Sequence, residues 1–132
     1  MAKISSKYYL PVIIWAMLIL TVSSIPHLKT PDLGLKIDDK IAHFCEYFIF
    51  GLLIANMFWR VNKPFPYIMI TTSLIGTIYG ILDELHQLFI PGRTTDVFDM
   101  TADALGVITA SLFYVLWRIW KSTRKLPEID KH

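Results

Sequence analysis

Apolar residues run along this chain in four long segments, and polar residues gather between them and at their ends. The segments are Tyr8–Ile25, Ile41–Trp59, Tyr67–Ile90 and Met100–Trp120. Each is long enough to cross a bilayer as a helix, which takes about 17 to 25 residues. A chain this short cannot close a membrane barrel, and lipid offers no partner to free backbone groups. The pattern therefore predicts one all-α domain over residues 1–132, a bundle of four transmembrane helices.

Composition supports a membrane protein. Hydrophobic residues make up 54% of the 132 residues and charged residues 18%, which is too apolar for an ordinary soluble domain of this size. The net charge of +2 gives no reason to expect a nucleic-acid partner, and the lone Cys45 cannot form an internal disulfide. We expect the lipid bilayer as the main partner and the first segment as an uncleaved anchor; no pattern specifies an oligomeric state.

The basic residues predict an orientation. Nine of them lie at the amino-terminus, in the second loop or in the tail: Lys3, Lys7, Arg60, Lys63, Arg118, Lys121, Arg124, Lys125 and Lys131. The first and third loops hold only Lys29, Lys36, Lys40 and Arg93. Because basic loops stay in the cytoplasm, both termini are predicted to be cytoplasmic. The basic tail then serves as a cytoplasmic anchor that contacts anionic lipid.

Polar residues near the predicted outer surface continue stripes of small residues on three helices, at spacings of three or four. The stripes are His43, Tyr47, Gly51 and Ala55; Gly76, Gly80, Asp83 and Gln87; and Asp99, Asp103, Gly106 and Ala110. Small residues allow helices to pack closely, so the polar ends should meet inside the bundle. At 3.6 residues per helical turn, Glu46 and Glu84 lie beside the stripes of their helices. His86 lies about 90 degrees around the third predicted helix from its stripe, toward headgroups or water.

A buried acid costs roughly 2.5 to 3.5 kcal/mol on membrane-insertion scales, so this cluster needs partners or a function. The predicted ligand-binding residues are Lys40, His43, Glu46, Tyr47, Asp83, Glu84, Gln87, Arg93, Asp99 and Asp103. We expect no cofactor. The alternative is a divalent metal, for which His43, Glu46 and Glu84 are weak candidates because a helical i, i+3 pair completed by another acid can bind a cation. A purely structural cluster that holds the helices together is also open.

Two stretches, DKIAHFCEY (Asp39–Tyr47) and DELHQLFIPGRTTDVFDMTADALG (Asp83–Gly106), resemble the VanZ-like family of small bacterial membrane proteins. The residues that match the family pattern are Asp39, Lys40, His43, Phe44, Tyr47, Glu84, Gln87, Pro91, Arg93, Asp99 and Gly106. Asp103 departs from it, since the family usually has Asn there. The resemblance implies a multi-pass protein of the bacterial cytoplasmic membrane, and the family's founding member is associated with low-level resistance to the glycopeptide teicoplanin.

These observations favour an outer-leaflet pocket that binds or moves a lipid or a lipid-linked cell-envelope molecule. Arg93 suits a phosphate or carboxylate because its guanidinium donates two parallel hydrogen bonds, although pairing with Asp96 or Asp99 is equally compatible with the sequence. Glu84 and Gln87 could hold hydroxyl or amide groups, and a charge change at His43 could gate the site.

Two other function classes stay open. A membrane-embedded enzyme would use Glu84 or Asp83 as general acid or base, with Asp99 or a metal as electrostatic partner. His43 completes the four catalytic candidates, and the substrate would be a lipid-linked sugar or phosphate. A structural or partner-binding membrane protein would use the cluster only for assembly.

Overall fold

The computed structural model describes residues 5–28 and 38–124, and these form four helices: α1 (Ser6–Ser23), α2 (Asp38–Arg60), α3 (Phe65–Gln87) and α4 (Val97–Thr123). Each helix is long and apolar enough to cross a membrane. The all-α, four-helix prediction is confirmed, whereas the cytoplasmic placement of the termini stays a prediction. The basic positions 3, 29, 36, 125 and 131 lie outside the described residues.

The helix bounds differ from the apolar segments because polar residues start and stop helices. Helix α2 begins at Asp38, and its first turn carries acids that interact favourably with the helix dipole. Helix α4 begins after Asp96, whose Oδ1 accepts a hydrogen bond from the Phe98 amide at 2.8 Å. Helix α3 ends at Gln87, before Pro91 and a Gly92 with φ of 75°. Hydropathy alone marks the apolar stretch and misses these polar turns.

Helix α2 packs on α1, α3 and α4, and it approaches α4 most closely at glycines. A Cβ atom on Gly106 would lie 2.5 Å from the Phe44 carbonyl oxygen, and one on Gly51 would lie 2.8 Å from the Ala110 Cβ. Small residues thus bring the α2 and α4 backbones together, as the stripe pattern predicts. The buried core beside them consists of Ile19, Tyr47, Phe50, Ile54 and Val107.

Helix α1 is joined to the other helices by polar contacts as well as apolar ones. The Trp15 Nε1 donates to the Glu46 carbonyl oxygen at 3.1 Å, and the Tyr79 hydroxyl donates to the Ala16 carbonyl oxygen at 2.6 Å. The Ser23 hydroxyl donates to the Asp83 Oδ1 at 2.5 Å. The outer faces of the bundle remain apolar and exposed, as the lipid-facing surface of a membrane protein must be. Helix α1 is therefore a packed member of the bundle.

Candidate functional site

A polar cleft opens where α2 and α4 begin and α3 ends. Its volume is about 390 Å³, and it is lined by Leu28, Asp39, His43, Gln87, Gly92, Arg93, Thr94 and Asp99. Of the predicted ligand-binding residues, His43, Gln87, Arg93 and Asp99 line it. The three polar stripes do meet at one end of the bundle.

One wall of the cleft is organised by Lys40 of α2. Its Nζ lies 2.9 Å from the Asp39 Oδ2, 2.8 Å from the Asp96 Oδ2 and 2.6 Å from the Asp99 Oδ1. The hydrogen bond from Lys40 holds the pKa of the Asp96 carboxyl below its ordinary value. Lys40 thereby ties the first turn of α2 to the first turn of α4.

The deeper wall is organised by His43. Its Nδ1 lies 2.9 Å from the Asp103 Oδ1, and its Nε2 lies 3.9 Å from the Glu84 Oε1. The Glu84 Oε1 accepts from the Gln87 Nε2 at 3.1 Å, and the Glu84 Oε2 accepts from the Asp96 amide at 3.2 Å. One imidazole therefore stands between carboxylates from α3 and α4.

The structure corrects the sequence-based position of Glu84. The helical phase placed it beside the inward stripe, yet it is fully buried, with 0% of the residue exposed. Glu84 lies four residues after Gly80, on the same face of α3. A Cβ atom on Gly80 would lie 2.9 Å from the Asp103 Cβ of α4, so this face of α3 packs against α4. Asp83 instead turns to Ser23 of α1. Glu84, which the family pattern favours, is thus inside the bundle. Two neighbouring rows of α3 side chains are buried, where one was expected.

Arg93 has no direct acidic partner among the residues that the structure describes, although the Glu46 carboxylate lies within electrostatic range of it. Its Nη1 donates to the Leu28 carbonyl oxygen at 3.3 Å, and its buried Nε has no hydrogen-bond partner. It makes no ion pair with any residue that the structure describes. The two acids that the sequence offered as partners, Asp96 and Asp99, are both held by Lys40.

Several other predicted residues lie away from the cleft surface. Tyr47 is buried in the core, edge-on to Phe50, and its hydroxyl has no hydrogen-bond partner among the described groups. Glu46 does not line the cleft, and its backbone carbonyl oxygen accepts from the Trp15 Nε1 of α1. His86, expected to face headgroups or water, contacts the hydroxyl of Ser24, the residue after the end of α1, at 3.0 Å, because α1 packs over that part of α3.

Sequence reasoning missed some contributors. Asp39, which lines the cleft, was marked only by the family pattern, and Thr94 was not marked at all. Thr95 donates to the Glu84 carbonyl oxygen at 3.0 Å, and Ser23 reaches Asp83 across sixty positions of sequence. No local signal identifies these residues, because their role depends on which helices become neighbours.

One group of side chains could hold a metal ion. Ligand atoms of His43, Glu84 and Asp99 all lie within 4.8 Å of one another. The sequence grouped His43 and Glu84 with Glu46 instead. Glu46 is not a member of this group among the described residues, and whether a metal binds here stays a prediction.

The comparisons with known proteins agree with this architecture. The family model described as VanZ/LLP1 matches residues 8–118, from the start of α1 to near the end of α4. An uncharacterised protein of the yeast Schizosaccharomyces pombe is 34% identical over 88 residues, which cover 66% of this chain and 52% of the yeast protein. The chain thus spans about half the length of that relative. No solved structure matches the chain significantly. With the family model covering all four helices, the chain belongs to the VanZ/LLP1 family of membrane proteins.

Proposed function

We propose that this protein binds the phosphate-bearing headgroup of a membrane lipid or lipid-linked molecule in the polar cleft. The observation that carries the proposal is the guanidinium of Arg93 at the cleft surface, which forms no ion pair with the residues that the structure describes. A partly buried charge without a hydrogen-bonded counter-charge is costly, and a phosphate offers Arg both a charge and two well-placed acceptors. Asp96 and Asp99 do not fill this role, because Lys40 engages both of them.

The position of the cleft favours a lipid over a soluble anion. It lies at the ends of helices whose outer faces are apolar and exposed, so the bilayer interface surrounds it. A headgroup at that depth reaches Arg93 while its chains remain in the hydrocarbon region. The basic-residue count supports the extracytoplasmic leaflet for this end of the bundle.

The other cleft residues complement a headgroup that carries more than phosphate. Asp39 and Asp99 present carboxylates to the same space, where they can accept hydrogen bonds from hydroxyl or ammonium groups. Thr94 adds a hydroxyl that both donates and accepts. A lipid phosphate with a polar substituent therefore fits the cleft better than a bare phosphate monoester.

Native mass spectrometry of the purified chain with defined lipids tests the proposal. Phosphatidylglycerol and a polyprenyl phosphate serve as the two phosphate sources, with diacylglycerol as the uncharged control and a chelator present throughout. A hydrogen bond between charged groups contributes about 1.5 to 3 kcal/mol, so Arg93→Ala should weaken phosphate-lipid binding roughly 10-fold to 150-fold.

Arg118→Ala is the matched control, because Arg118 stacks on Trp59 at 4.6 Å at the opposite end of the bundle. It should leave binding at the cleft unchanged. Equal affinity of the wild type and Arg93→Ala for both phosphate lipids, or equal binding of diacylglycerol, would rule out the proposal.

We further propose that any teicoplanin tolerance conferred by this chain depends on the same cleft. The match to a yeast protein favours a ligand common to bacterial and eukaryotic membranes, such as a phospholipid, over one confined to bacterial cell walls. In a teicoplanin-sensitive host, Arg93→Ala should then abolish any tolerance that the wild type gives. Full tolerance with Arg93→Ala, at equal protein levels, would separate the phenotype from the cleft.

A further inference from the structure

We propose that His43, Glu84 and Asp99 form a binding site for a divalent transition-metal ion at the floor of the cleft. They come from three different helices, α2, α3 and α4, and their ligand atoms lie within 4.8 Å of one another. Glu84 and Asp99 are buried, whereas His43 and Asp99 line the cleft, so an ion can enter from the open side. The proposal does not depend on the lipid ligand.

The orientation of His43 is that of a metal ligand. Its Nδ1 lies 2.9 Å from the buried carboxylate of Asp103, which leaves the Nε2 facing Glu84. Metal-binding histidines almost always donate the other ring N–H to a carboxylate, carbonyl or water, which fixes the ring and raises its basicity. Asp103 supplies that outer hydrogen bond, and the acid at this position gives the ring a stronger acceptor than the Asn that the family pattern usually has.

The distance between His43 and Glu84 is also consistent with a metal site. At 3.9 Å, the Nε2 and the Glu84 Oε1 are too far apart for a hydrogen bond. Two ligands that are each about 2.1 Å from a zinc ion lie roughly 3.4 Å apart in a tetrahedron. A small inward shift of one side chain is therefore enough to place both atoms on one ion.

Charge balance also favours a cation. Glu84, Asp99 and Asp103 surround one imidazole, while Lys40 divides its single charge among Asp39, Asp96 and Asp99. Arg93 makes no ion pair with any of these acids. Buried carboxylates at membrane depth require compensation, and a divalent ion supplies two charges at the point where they converge.

The ligand types select among metals. One imidazole nitrogen with two carboxylates suits zinc or manganese, whereas calcium and magnesium prefer oxygen ligands alone. Three protein ligands leave one zinc coordination position open toward the cleft. Zinc is therefore the probe for the experiment.

The full chain, purified in detergent without added lipid and stripped with a chelator, is dialysed against zinc and analysed for metal content. The wild type should hold one zinc per chain. Glu84→Gln and Asp99→Asn should each lower zinc affinity by more than the roughly 10-fold to 100-fold expected for loss of an outer partner, and Asp103→Asn should fall within that range. Glu46→Gln is the matched control, because it removes a nearby acid outside the ligand set, and it should bind zinc like the wild type.

X-ray absorption of the zinc-loaded wild type provides a readout that needs no variant. It should show a single imidazole together with oxygen ligands. Zinc contents well below one per chain, equal affinity in Glu84→Gln and Glu46→Gln, or a zinc spectrum without imidazole would each overturn the proposal. Failure of the lipid experiment leaves these outcomes unaffected, because no lipid enters the zinc measurement.

Discussion

Removal of the Lys40 ammonium should destabilise the bundle by about 2 to 4 kcal/mol. The contact with Asp39 is partly exposed, at 41% of the acid side chain, so it contributes up to about 1 kcal/mol, and the contact with Asp96 is screened by solvent and adds little. The contact with Asp99 is stronger, because that side chain is only 9% exposed and a charged hydrogen bond contributes about 1.5 to 3 kcal/mol. Lys40→Met keeps the side-chain length and removes the charge. The free energy of unfolding is measured in mixed micelles by titration with a denaturing detergent.

A double variant isolates the buried part of this effect. Lys40→Met/Asp99→Asn removes the acid that would otherwise remain buried without its partner, so it should recover about half of the lost stability. Lys63→Met is the control, because Lys63 lies over the Tyr67 ring at 5.1 Å at the other end of the bundle. It should cost less than about 1 kcal/mol. A Lys40→Met protein as stable as the wild type, or a double variant no more stable than the single one, would refute the reasoning.

Three further predictions concern packing and pH. Gly106→Ala should lower the free energy of unfolding by about 1 to 3 kcal/mol, because the new Cβ would lie 2.5 Å from the α2 backbone. Leu105→Ala, on the exposed face of α4, is the control and should change the free energy of unfolding little. Tyr47→Phe should raise the unfolding free energy by about 1 kcal/mol, since it removes a buried hydroxyl without a hydrogen-bond partner; a loss of stability would indicate a partner for that hydroxyl. Asp96→Asn keeps the helix cap but loses the charge. Because the folded-state pKa of Asp96 lies below its ordinary value of 3.8, the ionised carboxylate stabilises the fold above that pH and the benefit is lost as the pH falls through the lowered pKa. The stability difference between wild type and Asp96→Asn should therefore be present at neutral pH and shrink in acid, and a difference independent of pH would contradict it.

The helices of this protein are predictable because the bilayer demands long apolar segments, and four such segments are plain in the sequence. The close approach of α2 and α4 is also predictable, because Gly51 and Gly106 lie on stripes of small residues. Helical phase then identifies inward positions such as Asp83 and Asp103. These features depend on local spacing, which the sequence contains directly.

The site itself depends on which helices become neighbours, and local spacing does not contain that information. The residue spacing of α3 predicts one row of inward-facing side chains. Because α3 contacts both α1 and α4, two neighbouring rows are buried. Asp83 therefore pairs with Ser23, while Glu84 faces the floor of the cleft. For the same reason, the sequence did not show which acids Lys40 and Arg93 contact. Sequence distance made Arg93 the natural partner of Asp96, yet Lys40, 56 positions away, takes it. That exchange leaves Arg93 available for a ligand.

The end of α1 has a consequence for how the cleft is kept in shape. The His27 amide donates to the Pro91 carbonyl oxygen at 3.1 Å, and the Leu28 carbonyl oxygen accepts from Arg93 at 3.3 Å. The segment that follows α1 is thus fastened to the loop that carries the arginine. Because these two hydrogen bonds join the end of α1 to the loop that carries Arg93, we expect a displacement of α1 to move the rim of the cleft as well.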